Sequence, residues 1–429
     1  MKKFVLAFLF ASGFAVTASS QFTGQLGYAL SPQGFPNDFS QMGTFLQETA
    51  SLCGNGIVYA NGDWRDDTAS SGIIPNLQKT IAQLQPAPYG YTDMLTYAWA
   101  TYPALHLNTL SDPTNNWTNS DMRSHFLQML IRTADSLQPA YLFIGNEVDL
   151  YLTIDSLDYY NWISFYEAAY DSVKAHSPAT KVGTVFSYEH LSGNGTLTGS
   201  PEWMVPHWNA LDDMDTSKMD MVGISFYPFF RYASANAVPN TYLDPMFTHI
   251  GSKPLVFTET GWPGDSLIGS WNANAQEQVD FVNKLFTLVG AHNVPAVNWF
   301  YLNYMMSNSA SPDILIFKSV ALRDSLGNDR PALSLWESMC AANAVSEGGS
   351  PVGAAPFPNP SSGELRFHGL VPGETYKLVL VDAQGREVIR LELKNDETVA
   401  ANLSPGLYFY TITGRSGKNE NGKILITAP

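Results

Sequence analysis

The chain has 429 residues, a formal net charge of −16 at pH 7, only two cysteines and 13% aromatic residues. That charge leaves no basic stripe to displace counterions from phosphate, so it excludes a nucleic-acid-binding protein and is read as a solubility feature. Two cysteines exclude a disulfide scaffold or a cysteine-ligated metal site, and the length exceeds what one core ordinarily serves, so two domains are expected.

Met1-Lys2-Lys3, an apolar run from Phe4 to Val16 and the small residues Thr17–Ser20 make a secretory signal peptide over residues 1–20, with the mature chain starting near Gln21. No later run reaches the roughly 18 apolar residues that a membrane helix needs, so no transmembrane anchor is expected. From Leu26 to Cys340, short apolar runs alternate with amphipathic ones, the pattern of an α/β fold with a parallel sheet. The strands are expected at Leu26–Ala29, Gly56–Ala60, Met94–Ala98, Tyr141–Gly145, Lys181–Val185, Met221–Phe226, Pro254–Phe257 and Ala296–Tyr301. Eight strands alternating with eight helices predict a (β/α)8 TIM barrel over residues 21–344. The open doubly wound sheet is the rival, but no Gly-rich phosphate turn follows a first strand.

Met122, Phe126, Met129, Leu130 and Leu137 share one helical face, and Trp162, Ile163, Tyr166, Ala169 and Val173 another. Asn274 with Glu277 predicts a capping pair for a helix over 276–289 that Gly290 ends. Cys53 falls at the end of the first barrel helix and Cys340 in the last. Barrel closure makes those helices neighbours, so a bridge is expected, the alternative being two buried thiols. Residues 345–355, rich in Gly, Ala, Pro and Ser, form a linker. Residues 356–429 carry short alternating strands and polar turns, which predict a small all-β sandwich.

Two strands end in glutamate. Tyr141-Leu-Phe-Ile-Gly-Asn-Glu147 and Leu255-Val-Phe-Thr-Glu259-Thr-Gly-Trp-Pro263 each run an apolar segment into a carboxylate, at the barrel end where catalytic groups gather. Asp149 and Glu189 lie nearby in sequence, but neither closes an apolar strand. The pattern of Asn-Glu after one strand and Glu-Thr-Gly-Trp-Pro after a later one resembles the clan A glycoside hydrolases. Those are retaining enzymes with acid/base and nucleophile at the ends of strands four and seven. Thr258–Pro263 is most similar to their β-glucanase and β-galactanase branches.

The resemblance implies Glu147 as general acid/base, Glu259 as nucleophile and Asn146 as the partner of a sugar 2-hydroxyl. It places Tyr227 beside the nucleophile and points to Arg65 as an arginine supporting that nucleophile. Trp299 is expected to be the sugar-stacking floor and Trp262 a second platform, with Trp64 and Trp99 lining outer subsites and His190 touching substrate. The alternatives are packing under long loops for Trp64 and Trp99, an ordinary strand-end aromatic for Tyr227, a satisfied loop histidine for His190 and a surface ion pair for Arg65. No cofactor or metal is expected, because no metal-binding or calcium-loop spacing occurs and the chemistry needs only two carboxyl groups. No Gly-x-Ser-x-Gly elbow supports a serine nucleophile.

A second resemblance covers the C-terminal segment. Phe357-Pro-Asn-Pro-Ser-Ser-Gly363, Asp382-Ala-Gln-Gly-Arg386, Leu403-Ser-Pro-Gly-Leu-Tyr408 and Gly422-Lys-Ile-Leu-Ile426 are similar to the carboxy-terminal sorting domain of the type nine secretion system of Bacteroidota. It implies delivery across the outer membrane by that machinery; a carbohydrate-binding module is the rival, with Tyr376, Tyr408 and Tyr410 as its only sugar platforms. The expected protein is a secreted or cell-surface retaining endo-glycosidase acting on a β-linked polysaccharide. The alternatives are an exo-acting β-glycosidase or a non-catalytic glycan-binding surface protein.

Overall fold

The structure is a computed structural model that describes residues 22–63, 89–101, 106–107, 116–265, 273–290, 292–308, 312–343, 355–357, 361, 364–368, 375–382, 386–394, 399–400, 403–413 and 419–426. The signal peptide, Trp64, Arg65 and most of the linker lie outside the described residues. The chain divides into two units, Met1–Ala344 and Val345–Pro429.

In the first unit the parallel strands are β1 (Gln25–Ala29), β2 (Ile57–Asp63), β3 (Thr92–Ala98), β4 (Tyr141–Ile144), β5 (Lys181–Gly183 and Val185–Ser187), β6 (Val222–Phe226), β7 (Leu255–Thr260) and β8 (Ala296–Trp299). β1 pairs with both β2 and β8, and the ladder continues from β8 through β7 to β6 and from β2 through β3 to β4. β5 closes the ring: Lys181–Gly183 pairs with β4, and Val185–Ser187 pairs with β6. A break at Thr184 is what divides this eighth member of the ring into two pieces.

Strand alternation sorts the side chains. Ala29, Ile57, Tyr59, Met94, Phe143, Val185, Met221, Val256 and Ala296 form a cluster inside the ring. The intervening residues join a larger core between strands and helices, so both faces are apolar, as a covered parallel sheet requires. The helix Ser120–Ser136 buries Met122, Phe126, Met129 and Leu130 there, and Ser156–His176 buries Trp162, Ile163, Tyr166, Ala169 and Val173. Asn274 caps the helix Ala275–Val289 by accepting the amides of Gln276 and Glu277. The Glu277 carboxylate departs from the expected capping pair and accepts Ser234 Oγ and the Ala235 amide. Cys53 is disulfide-bonded, and the sequence holds one other cysteine, Cys340, in the helix Pro331–Asn343.

The second unit contains a three-stranded sheet (Ala355–Phe357, Glu364–His368, Val399–Ala400) and a four-stranded antiparallel sheet (Glu387–Lys394, Thr375–Asp382, Gly406–Thr413, Asn419–Ile426). Leu365, Phe367 and Val399 from the first sheet pack with Leu378, Leu380, Ile412 and Ile424 from the second, which makes a sandwich. Tyr376, Tyr408 and Tyr410 belong to that core and present no ring to a sugar. Burial of the three tyrosines removes the basis of the carbohydrate-binding rival.

Candidate active site

Glu147 follows β4 through a turn that needs glycine. Gly145 has φ 99°, and a Cβ there would lie 2.5 Å from Val148 Cγ1 and 2.6 Å from Trp99 Nε1. Glu147 itself adopts φ 50° and ψ 46°, left-handed values that a long side chain rarely takes and that concentrate at functional sites.

Glu259 lies inside β7 rather than after it. Val256 faces the ring interior, so strict alternation would turn Glu259 toward the helices. The pairing with β6 shifts by one residue between Phe257 and Glu259, and this bulge sets Glu259 beside inward-facing Ser225.

Glu259 then meets three donors: Tyr227 Oη to Oε2 at 3.1 Å, with Tyr59 Oη and Asn61 Nδ2 each to Oε1 at 3.3 Å. Glu147 Oε1 accepts Ser225 Oγ. Ser225 and Tyr227 stand two residues apart, the spacing of one strand face, so the end of β6 holds both carboxyl groups side by side.

Burial is the largest influence on each carboxyl and raises both above the usual carboxylate range. The Glu147 charge raises Glu259 further, whereas Tyr227, Tyr59 and Asn61 lower it; Ser225 lowers Glu147, and Asp149 raises it. Two carboxyl groups that repel each other in a low-dielectric site hold one proton near neutral pH. Three donors converge on Glu259 against one on Glu147, so hydrogen bonding favours the ionised form more at Glu259 than at Glu147.

Asn146 is half-buried next to Glu147, and its Oδ1 is enclosed without a hydrogen-bond partner. Tyr227 donates to Glu259, the carboxyl beside which it was expected. Four other expectations need correcting. Trp299 is fully buried: it follows inward-facing Asn298, so it points outward, packs on Phe281 and Trp336 at 5.9 and 5.5 Å, and donates its indole N–H to Val320 O. Trp262 is also fully buried, against Phe281 and Phe229. Trp99 fills the core against Trp117, Tyr151 and Trp162.

His190 is enclosed as well. Its Nδ1 is 2.7 Å from Asp149 Oδ2 and its ring stacks on His207, so the whole side chain is packed inside the protein. Replacing Trp299 by alanine is therefore expected to cost about 3–5 kcal/mol of stability in urea unfolding, with the helix packing lost rather than a sugar contact.

Among the described residues, Phe300 and Tyr301 are aromatic side chains close to the carboxyl pair. Both are half-buried; Phe300 lies 6.1 Å from the Tyr227 ring and stacks on Tyr301 at 4.1 Å, and Tyr301 lies 6.0 Å from Phe35. Sequence reasoning missed Tyr59, Asn61, Ser225 and Phe300. The available signal was strand phase: Ile57, Tyr59 and Asn61 share one face of β2, and Asn298 and Phe300 share one face after β8.

A ring of parallel strands with a buried, mutually repelling carboxyl pair at its carboxyl end has the architecture of a glycoside hydrolase barrel. Residues 97–301 match Glycosyl hydrolase family 53, and residues 355–427 match the Secretion system C-terminal sorting domain. The barrel unit thus carries a glycosyl hydrolase family 53 domain that includes Glu147 and Glu259, and the sandwich is a sorting domain that marks the chain for export to the surface or the medium.

An arabinogalactan endo-beta-1,4-galactanase from Thermothelomyces thermophilus is 27% identical over 130 residues, which are 30% of this chain and 38% of that protein. The exo-beta-1,4-mannosidase Op5Man5 from Opitutaceae bacterium strain TAV5 shares the fold, with TM-score 0.56 and 13% identity over 76% of this chain and 62% of that one. A GH5_18 protein from Streptomyces cattleya in complex with Manb1-4GlcNAc does so with TM-score 0.55 and 12% identity, over 76% of this chain and 82% of that one.

Proposed function

We propose that the protein is a secreted retaining endo-β-glycosidase. The observation that carries this reading is the pair of hydrogen bonds from Ser225 and Tyr227, which hold Glu147 and Glu259 at one strand end. In the first step the Glu259 carboxylate attacks the anomeric carbon, and the bond to the leaving sugar breaks as Glu147 gives that oxygen its proton. In the second, Glu147 takes a proton from water, the water oxygen bonds to the anomeric carbon and Glu259 leaves. Asn146, with an unsatisfied Oδ1 beside Glu147, accepts from a sugar hydroxyl and strengthens that bond as charge develops.

The galactanase relative supports a β-1,4-linked galactan as the first substrate to try. Incubation of the full chain with β-linked polysaccharides, followed by sizing of the products, tests the reading. A ladder of oligosaccharides is expected, whereas monosaccharide release alone would assign exo action, and binding without cleavage of any chain would leave only a glycan-binding protein.

Tyr227→Phe removes one of the three donors to Glu259. The carboxyl rises further, so the acid limb of kcat/KM moves to higher pH and the rate falls by about 10- to 100-fold, which a pH–rate profile reads directly. Deletion of residues 356–429 leaves the carboxyl pair untouched. Hydrolysis by the truncated chain should persist while the protein collects in the periplasm, as fractionation and immunoblotting would show.

A further inference from the structure

Two buried carboxyl groups beside the pair, Asp149 and Glu189, take no part in the two-step reaction. Asp149 is paired with His190, whereas Glu189, in the short helix Tyr188–Leu191 that follows β5, is 1% exposed. Its Oε2 accepts the main-chain N–H of Tyr227 at 2.9 Å, and its Oε1 accepts Tyr242 Oη at 3.4 Å.

Tyr227 stands just beyond β6, whose pairing with β7 ends at Phe226 and Thr260. Its amide has therefore left the sheet ladder, and Pro228, the next residue, has no N–H to contribute. Without an acceptor the Tyr227 amide would be a buried donor with no partner, a state that folded chains avoid. The same residue carries the phenol that donates to Glu259.

We propose that Glu189 is a positioning residue for the nucleophile: by anchoring the Tyr227 main chain, it fixes the aim of the Tyr227 phenol on Glu259. The proposal rests on the glycosidase reading above. Burial pushes the Glu189 carboxyl to about 8; the Tyr227 amide and the Tyr242 hydroxyl pull downward, and the Glu147 charge pushes upward.

The other groups facing this region are Glu147 at the end of β4, Asp149 on the helix Val148–Ile154, and His190 on the same helix as Glu189 and paired with Asp149. Both donors to Glu189 are uncharged, so an amide oxygen serves in place of the acid. A side chain of equal length without oxygen does not.

The test uses full-length protein with carboxyl-¹³C glutamate, in the wild type, Glu189→Met, Glu189→Gln, Tyr227→Phe and the double variant Glu189→Met/Tyr227→Phe. NMR titration reads Glu259 without substrate, and kcat and KM are measured in parallel. In Glu189→Met the Glu259 titration should rise by about half a unit or more, as in Tyr227→Phe. Its kcat should fall about tenfold or more with KM little changed, and glutamine should restore most of the loss.

Because both changes act through one phenol, the double variant should be within about twofold of Tyr227→Phe alone. The proposal is overturned if the two losses multiply, if glutamine is as poor as methionine, or if Glu259 titrates unmoved in Glu189→Met. The titration decides this even in a protein that cleaves nothing, whereas a folded wild type without hydrolysis sinks the glycosidase reading instead.

Discussion

Glu259→Ala should lower kcat by about 10⁴-fold or more while leaving oligosaccharide affinity within about threefold. The side chain is 5% exposed and, on the proposed mechanism, bonds the anomeric carbon, so its loss removes the covalent step rather than a sugar contact. Tyr59, Tyr227 and Asn61 keep their places and lose only an acceptor. Turnover assays with isothermal titration on the same sample separate the two quantities. A variant that loses binding and turnover together would mean that Glu259 shapes the groove instead of reacting in it.

Glu147→Gln should cost about 10²- to 10⁴-fold in kcat on a natural glycosidic linkage, the ordinary worth of a placed general acid. The loss should shrink on an aryl glycoside whose leaving group departs without a proton, because only the protonation of the leaving oxygen has been removed.

The sign of the pH effect follows from the pair. Wild type is active where Glu259 is ionised and Glu147 protonated; activity falls in acid as Glu259 gains a proton and in alkali as Glu147 loses one. With glutamine at 147 the alkaline limb disappears. Glu147 already carries its proton across the acid limb, so glutamine there leaves that limb close to its wild-type position. A pH–rate profile unchanged in shape would contradict the assignment.

The barrel was legible because its strands are short apolar runs punctuated by turns, and all eight expected segments overlap observed strands. The two glutamates were legible because each ends or nearly ends such a run. What the sequence hid was phase. A bulge between Phe257 and Glu259 turns the carboxylate inward, and no residue in Val256–Thr260 announces it.

The tryptophans failed for the same reason. Trp299 has the size and chemistry of a sugar platform, but its neighbours Asn298 and Phe300 occupy the inward face, so its ring goes into the helix layer. Trp262 and Trp99 are likewise drawn into packing, as aromatic residues in large cores are. His190 was expected at the substrate and instead pairs with Asp149, since two buried polar groups satisfy each other more cheaply than either stays single.

The stereochemistry of the first product tests the central claim most directly. Proton NMR of a reaction in progress on a β-linked oligosaccharide that the protein cleaves shows which anomer appears before mutarotation. Two carboxyl groups held side by side, one attacking and one giving a proton, predict the β-anomer first. Initial release of the α-anomer would mean that water, and not Glu259, attacks the sugar.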